Sequence, residues 1–141
     1  MLRKTLKTEW KPAGYPKEFR HLGDHIRARR VESGLQIKQL AALLSADAGS
    51  VASWEGGRRK PALERLPRLL EFLEYDPRPA STTVGQQLRA CREGRGLSQK
   101  AFARLLMVDA GTLRRWEQET RVPGKKQMAR IAAIMAQSRR E

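Results

Sequence analysis

Apolar residues recur along this chain at helical spacing, and the pattern is broken where helices begin and end. Val84, Leu88 and Cys91 or Arg92 mark one face of a first helix. Gly96 stops it, as a left-handed C-terminal residue does. Ser98 caps a second helix, Gln99 to Leu106, and Asp109 a third, Ala110 to Glu117. Beyond Pro123 a helical pattern runs from Lys126 through Ala136, with Met128, Ile131, Ala132 and Met135 on one face. The same cadence occurs earlier, over Leu22–Ser33, Ile37–Leu44, Ala48–Glu55 and Leu63–Leu73. Pro67 lies inside the last of these and either opens a helix at its first turn or kinks the one it is in.

The two runs are one pattern read twice. Gly85 lies 62 residues after Gly23, and a shift of 62 brings the rest into register without a gap. It pairs Arg27 with Arg89, Arg30 with Arg92, Gly34-Leu35 with Gly96-Leu97 and Lys38 with Lys100. Ala41 meets Ala103, Asp47-Ala48-Gly49 meets Asp109-Ala110-Gly111, Trp54-Glu55 meets Trp116-Glu117, and Pro61 meets Pro123. Across residues 23–61, 17 of 39 positions are identical, too many for chance. Two copies of this length suit tandem domains better than a solenoid. The predicted fold is all-α, with two tandem domains of four to five short helices each. The expected boundaries are a basic N-terminal arm over 1–20, a first domain over 21–73, a proline-containing linker over 74–83, a second domain over 84–137 and a tail over 138–141. The arm has three aromatics, two prolines and no apolar period, which leaves both an ordered and a floppy arm open.

Charge narrows the partner. The net formal charge is +14, with 15 basic and 8 acidic groups in residues 1–73 and 14 and 7 in residues 74–141. Each half is therefore +7, so the excess is not one basic tail on a neutral body, and a polyanion is the expected partner. The single cysteine, Cys91, excludes an internal disulfide framework and sits where a half-buried packing role is expected. No apolar run approaches the ~20 residues of a membrane span. The start, Met1-Leu2-Arg3-Lys4-Thr5-Leu6-Lys7, lacks the apolar core of a secretory signal. A reducing, cytoplasmic setting is expected, with neither a membrane nor a small-molecule substrate as partner. His21 and His25 share a helix face, but no carboxylate or cysteine cluster completes a metal site, and a solvated pair is the expectation. No glycine-rich phosphate loop is present, so neither an enzyme, a cofactor nor a metal is expected.

Two helices joined by a tight turn cross closely only with a small residue at the crossing, here Ala41 and Ala103. Apolar residues must flank the turn: Leu40, Leu44 and Ala46 in one copy, Phe102, Leu106 and Val108 in the other. A further apolar residue is needed midway along the third helix, Val51 and Leu113, and Trp54 and Trp116 close the core at its end. In these features the chain resembles the lambda-repressor/Cro-like, or Xre-type, helix-turn-helix family. The second copy carries Gly85, Leu88-Arg89, Arg92, Gly96-Leu97-Ser98-Gln99, Ala103, Trp116-Glu117, Arg121 and Pro123. The first carries Gly23, Ile26-Arg27, Arg30, Gly34-Leu35, Ala41, Trp54-Glu55, Arg58-Arg59 and Pro61.

The resemblance implies a double-stranded DNA-binding transcriptional regulator, a repressor, of the bacterial or phage cytosol and its nucleoid. It assigns Arg30 with Glu55 and Arg92 with Glu117 to structural ion pairs. Ser98 and Gln99, at the start of the second helix, and Arg58, Arg59, Lys60 and Arg121, in the loop after the third, would contact phosphates. The third helix would enter the major groove, its N-terminal residues toward base edges. The base-facing set is then Ala110, Gly111, Thr112, Arg114 and Arg115 in the second copy, with Ser50 and Ser53 in the first. Ala48-Gly49 and Ala110-Gly111 cannot form bidentate bonds to bases, so direct readout concentrates on Arg115.

The chain departs from the family pattern in places. Ser45 and Met107 stand where the family has a turn glycine, and Gln36-Ile37 replaces Ser-Gln, so the first copy is expected to lose both its cap and its phosphate donor. The weak third helix of the first copy keeps open an antitoxin-like or adaptor reading, in which that copy holds a protein partner. An RNA binder ranks lower, for want of aromatic stacking platforms. Whether the chain forms a homodimer or its two copies act as one pseudo-dimer stays open.

Overall fold

The computed structural model describes residues 11–140, with side chains through Gln137, and the described residues are helices and turns without strands. Contacts divide the chain into two units. Residues 11–61 together with Arg68–Arg78 form one; Ala62–Pro67 together with residues 79–140 form the other. Residues 1–10 of the expected arm lie outside the described residues.

In the first unit α1 spans Leu22–Glu32, α2 Ile37–Leu43 and α3 Ala48–Glu55. Each boundary has a local cause. The Asp24 carboxylate takes the Arg20 N–H at 2.7 Å and the His21 N–H at 3.2 Å, closing the start of α1. Gly34 follows that helix at φ +71°, a conformation that costs glycine nothing. Asp47 caps α3 by accepting from the Ser50 N–H at 2.7 Å. Between the two stretches of this unit a single 3₁₀ turn, Leu63–Arg65, leads into α4, Leu66–Leu73, which rejoins the unit from Arg68. Pro67 therefore stands in the first turn of a helix, where its missing N–H costs no bond. Ile26, Leu40, Ala41, Leu44, Val51, Trp54 and Leu69 form the core, with Leu22, Ile37, Ala46 and Phe72 against it.

The second unit repeats the plan. Helix α5 is Val84–Gly94, α6 Gln99–Leu106, α7 Ala110–Glu117 and α8 Lys125–Arg140. Thr83 caps α5, Ser98 α6 and Asp109 α7, each accepting the backbone N–H three residues on. Leu88, Phe102, Ala103, Leu106, Leu113, Trp116 and Ile131 form the core. Cys91 is half-buried against it.

Three expectations need correction. The inner face of α8 carries Ile131, Ile134 and Met135, while Met128 and Ala132 are exposed. Both sets have helical spacing, and the core that α8 meets selects the one with Ile134. At α2 the Gln36 side chain makes no cap bond, as expected, but the helix start is still closed, because the Gln36 N–H donates to Gln39 Oε1 at 2.8 Å from the third residue of the helix. Of the histidine pair expected to be solvated, His21 is exposed but His25 is half-buried. His25 stacks between Phe19 and Tyr75, at 4.7 and 5.7 Å between ring centres, and its Nδ1 shares a 2.6 Å hydrogen bond with the Tyr75 hydroxyl. Tyr15 adds an edge contact to Phe19, so residues 11–20 pack on the first unit rather than trailing from it.

Candidate nucleic-acid interface

Helices α2 and α3 meet through a turn of four residues, and α6 and α7 through one of three. The close approach rests on Ala41 and Ala103, which are 3% and 1% exposed. The turns are reversed by Ser45 at φ +54° and Met107 at φ +59°, both left-handed despite carrying a side chain. The Ala46 N–H then returns to the Ala41 carbonyl at 2.9 Å, and the Val108 N–H to that of Ala103 at 3.0 Å. Val51 and Leu113 are fully buried between the helices of each pair.

The end of the third helix in each unit is tied to the first helix by a buried fork. Arg30 Nε and Nη2 donate to the two carboxylate oxygens of Glu55 at 2.6 and 2.9 Å, and Nη1 to the Leu35 carbonyl at 2.8 Å. Arg92 does the same with Glu117, at 2.8 and 3.1 Å, and with the Leu97 carbonyl at 3.0 Å. All of the charge is therefore paired and bonded, as burial demands. The second unit adds a donor: Gln99 Nε2 bonds Glu117 Oε1 at 3.1 Å. Ile37 occupies the matching place in the first unit and has no polar group to offer.

Two glycines explain why the first and third helices approach so closely. A Cβ on Gly23 would stand 1.8 Å from the Trp54 carbonyl oxygen, and one on Gly85 2.4 Å from that of Trp116. No side chain fits at either position.

The residues expected to meet DNA fall into groups. Arg114 and Arg115 are exposed on α7, with Ala110, Gly111 and Thr112 half-buried in its first turn. On α3, Ala48 and Gly49 are exposed, and Ser50 and Ser53 half-buried. Arg58, Arg59, Lys60 and Arg121 are exposed in the loops beyond α3 and α7. The loops share one geometry. The Arg58 and Arg59 N–H groups return to the Ser53 carbonyl at 3.0 and 3.4 Å, and those of Thr120 and Arg121 to Arg115 at 3.0 and 3.4 Å. Ser98 is exposed and accepts from the Ala101 N–H at 3.1 Å, which keeps its own proton for another acceptor. Gln99, by contrast, is half-buried with its amide on Glu117. Lys38 and Lys100, exposed in the first turns of α2 and α6, belong with these cations. Their signal was their mutual alignment in the 62-residue register, which did not by itself say that both face solvent.

The N-cap carboxylates are stabilised in their charged form. The Ser50 N–H and hydroxyl on Asp47 hold its carboxyl below the usual range, and the Thr112 hydroxyl and N–H do so for Asp109. Among the described residues no group of three or more His, Cys, Asp or Glu is placed to hold a metal, and no helix is long and apolar enough to cross a membrane.

A three-helix core in which the second and third helices cross at a tight turn, present twice, defines a tandem helix-turn-helix protein. Comparison with known families agrees. The family described as Helix-turn-helix matches residues 88–140, and the one described as Helix-turn-helix domain matches residues 21–80. The chain belongs to the helix-turn-helix proteins, with two domains of the lambda-repressor-like type, and is a DNA-binding regulator. No curated protein and no solved structure matched the chain.

Proposed function

We propose that the protein is a sequence-specific regulator of transcription that binds double-stranded DNA and represses by occupying its site. One observation carries this reading: α7 exposes Arg114 and Arg115 on a helix whose opposite side, through Leu113 and Trp116, is locked into the core. A helix so held presents its arginines on a rigid support, which favours direct readout. Arg115 is the base-reading residue, its natural target the O6 and N7 of a guanine. Ala110, Gly111 and Thr112 line the same entry. Ser98, Lys100 and Arg121, with Lys38, Arg58, Arg59 and Lys60 of the first domain, hold phosphates and carry no sequence information.

Selection of bound sequences from random duplex DNA at two salt concentrations tests the reading. A recovered motif supports it; recovery of random sequence with normal affinity refutes sequence specificity.

A second reading concerns the first domain alone. Helix α3 offers Ala48, Gly49, Ser50, Ala52 and Ser53 where α7 offers its arginines, so it suits a backbone-holding or protein-binding role better than base readout. In this division of labour Arg115→Ala lowers the ratio of selected to random affinity and Ser53→Ala does not. Equal effects from the two would reject it.

A further inference from the structure

We propose that Thr112 is a positioning residue that aims Arg115. The proposal deepens the reading of α7 as the helix that enters the groove, and it rests on that reading.

The difficulty it resolves is one of reach. A recognition helix meets bases with its N-terminal residues, yet Ala110 and Gly111 there have no polar side chain. Arg115 lies near the other end of an eight-residue helix. The Cα–Cβ bond of a helical residue tilts toward the N-terminus, so a long side chain runs back over the residue four positions earlier. For Arg115 that residue is Gly111. A Cβ built on Gly111 would stand 3.5 Å from Arg115 Nη1, so the guanidinium already lies level with the first turn.

What holds it there is a relay of side chains. Arg115 Nη2 donates to Thr112 Oγ1 at 3.3 Å. The Thr112 hydroxyl donates its own proton to Asp109 Oδ1. Asp109 is itself pinned as the N-cap, its Oδ2 accepting the Thr112 N–H at 3.2 Å. The relay thus runs from a fixed backbone position to the guanidinium and takes only one of its five N–H protons. Thr112 was expected to touch a base; with its proton committed to Asp109, its part is to restrict the rotamers of Arg115. An arginine restricted in this way loses less conformational entropy on binding. The first domain has the start of the same relay, with Ser50 Oγ donating to Asp47 Oδ2 at 3.1 Å, but Ser53 stands where the guanidinium would be.

The test uses the full chain and random duplex selection, followed by affinities for the enriched duplex and for its single base-pair variants. Wild type is expected to prefer a guanine at one position, and Arg115→Ala to lose that preference. Thr112→Val keeps the shape but not the hydroxyl. It is expected to lose roughly five- to tenfold of the preference at that same position, part of what a bidentate contact supplies, while affinity for random duplex stays within about twofold. Thr112→Ser is expected to restore it, which a merely structural role would not require. Circular dichroism confirms that each variant is folded, and Thr112→Ala replaces the valine should that one unfold. The proposal is overturned if Thr112→Val is as selective as wild type, or more selective, as a relay that restrained Arg115 from DNA would make it. It is overturned equally if specific and random affinity fall together, or if serine fails as valine does. If Arg115→Ala leaves base preference unchanged, the reading of α7 falls and this proposal with it.

Discussion

Gly85 packs its bare α-carbon against the carbonyl oxygen of Trp116, leaving 2.4 Å where a Cβ would sit; Gly23 meets Trp54 in the same way at 1.8 Å. The atom opposite is backbone, so a methyl group cannot be accommodated by turning a side chain. Gly23→Ala and Gly85→Ala should each destabilise their domain by at least about 2 kcal/mol, despite alanine's helix preference of about 1 kcal/mol. Gly23→Ala should be the worse of the two. Urea unfolding measures both, and a stabilised alanine variant would contradict the contact.

The buried forks behave differently when halved and when removed. Arg92→Met alone strands the Glu117 carboxylate and should cost about 3–5 kcal/mol. Arg92→Met with Glu117→Leu should cost less than either single change, because no uncompensated charge remains. Glu117→Leu should also cost more than Glu55→Leu, since it leaves Gln99 Nε2 without its acceptor as well. A double-mutant cycle by chemical denaturation reads all of these.

Acid should loosen the first domain before the second. Burial lowers the His25 pKa below its ordinary 6.5; Asp24 opposes the shift and His21 adds to it. A lowered histidine pKa means the unfolded chain takes the proton first. The contribution is complete above 6.5 and is lost as pH falls from there toward the lowered value. The melting temperature of wild type should therefore drop as pH falls below about 6.5, by more than that of His25→Gln. Parallel curves for the two proteins would show that the Phe19–His25–Tyr75 stack does not carry the effect.

Binding should be steeply salt-dependent in the proposed reading. About 6 phosphate contacts give a log–log slope near −5 for duplex DNA. Arg59→Ala should reduce that slope by about 1 and weaken selected and random duplexes alike. A flat salt response would point to a protein partner instead.

Met107 is 72% exposed and left-handed. Met107→Gly should stabilise the second domain by about 0.5–1 kcal/mol, the left-handed cost of about 1–2 kcal/mol less the entropy glycine gives up. Thermal melting in the presence and absence of the substitution measures it.

The fold was legible because its signals are local. Ser98 and Asp109 cap helices with groups three residues away, Gly34 and Gly96 stop them, and the 62-residue register multiplied each weak signal by two. What stayed hidden depends on partners far apart in sequence. Nothing near Gly85 announces the Trp116 carbonyl, and nothing near His25 announces Tyr75. The rotation of α8 was also illegible, since Met128 and Ile134 offer equally regular apolar faces until the core they meet is known. At the candidate interface the exposed cations were readable as residue types. The engagement of Gln99 by Glu117 and of Thr112 by Asp109 was not, because either side chain could equally have faced solvent.

The two copies share backbone geometry down to the bonds that close their loops, and differ in what α3 and α7 hold out. A pair of identical readers related by a two-fold axis recognises a palindrome and looks the same from both ends. Unequal readers on one polypeptide have no such symmetry. In the proposed reading their target has a left and a right, and the bound protein carries that polarity onto the DNA, giving anything that meets it there a direction to read.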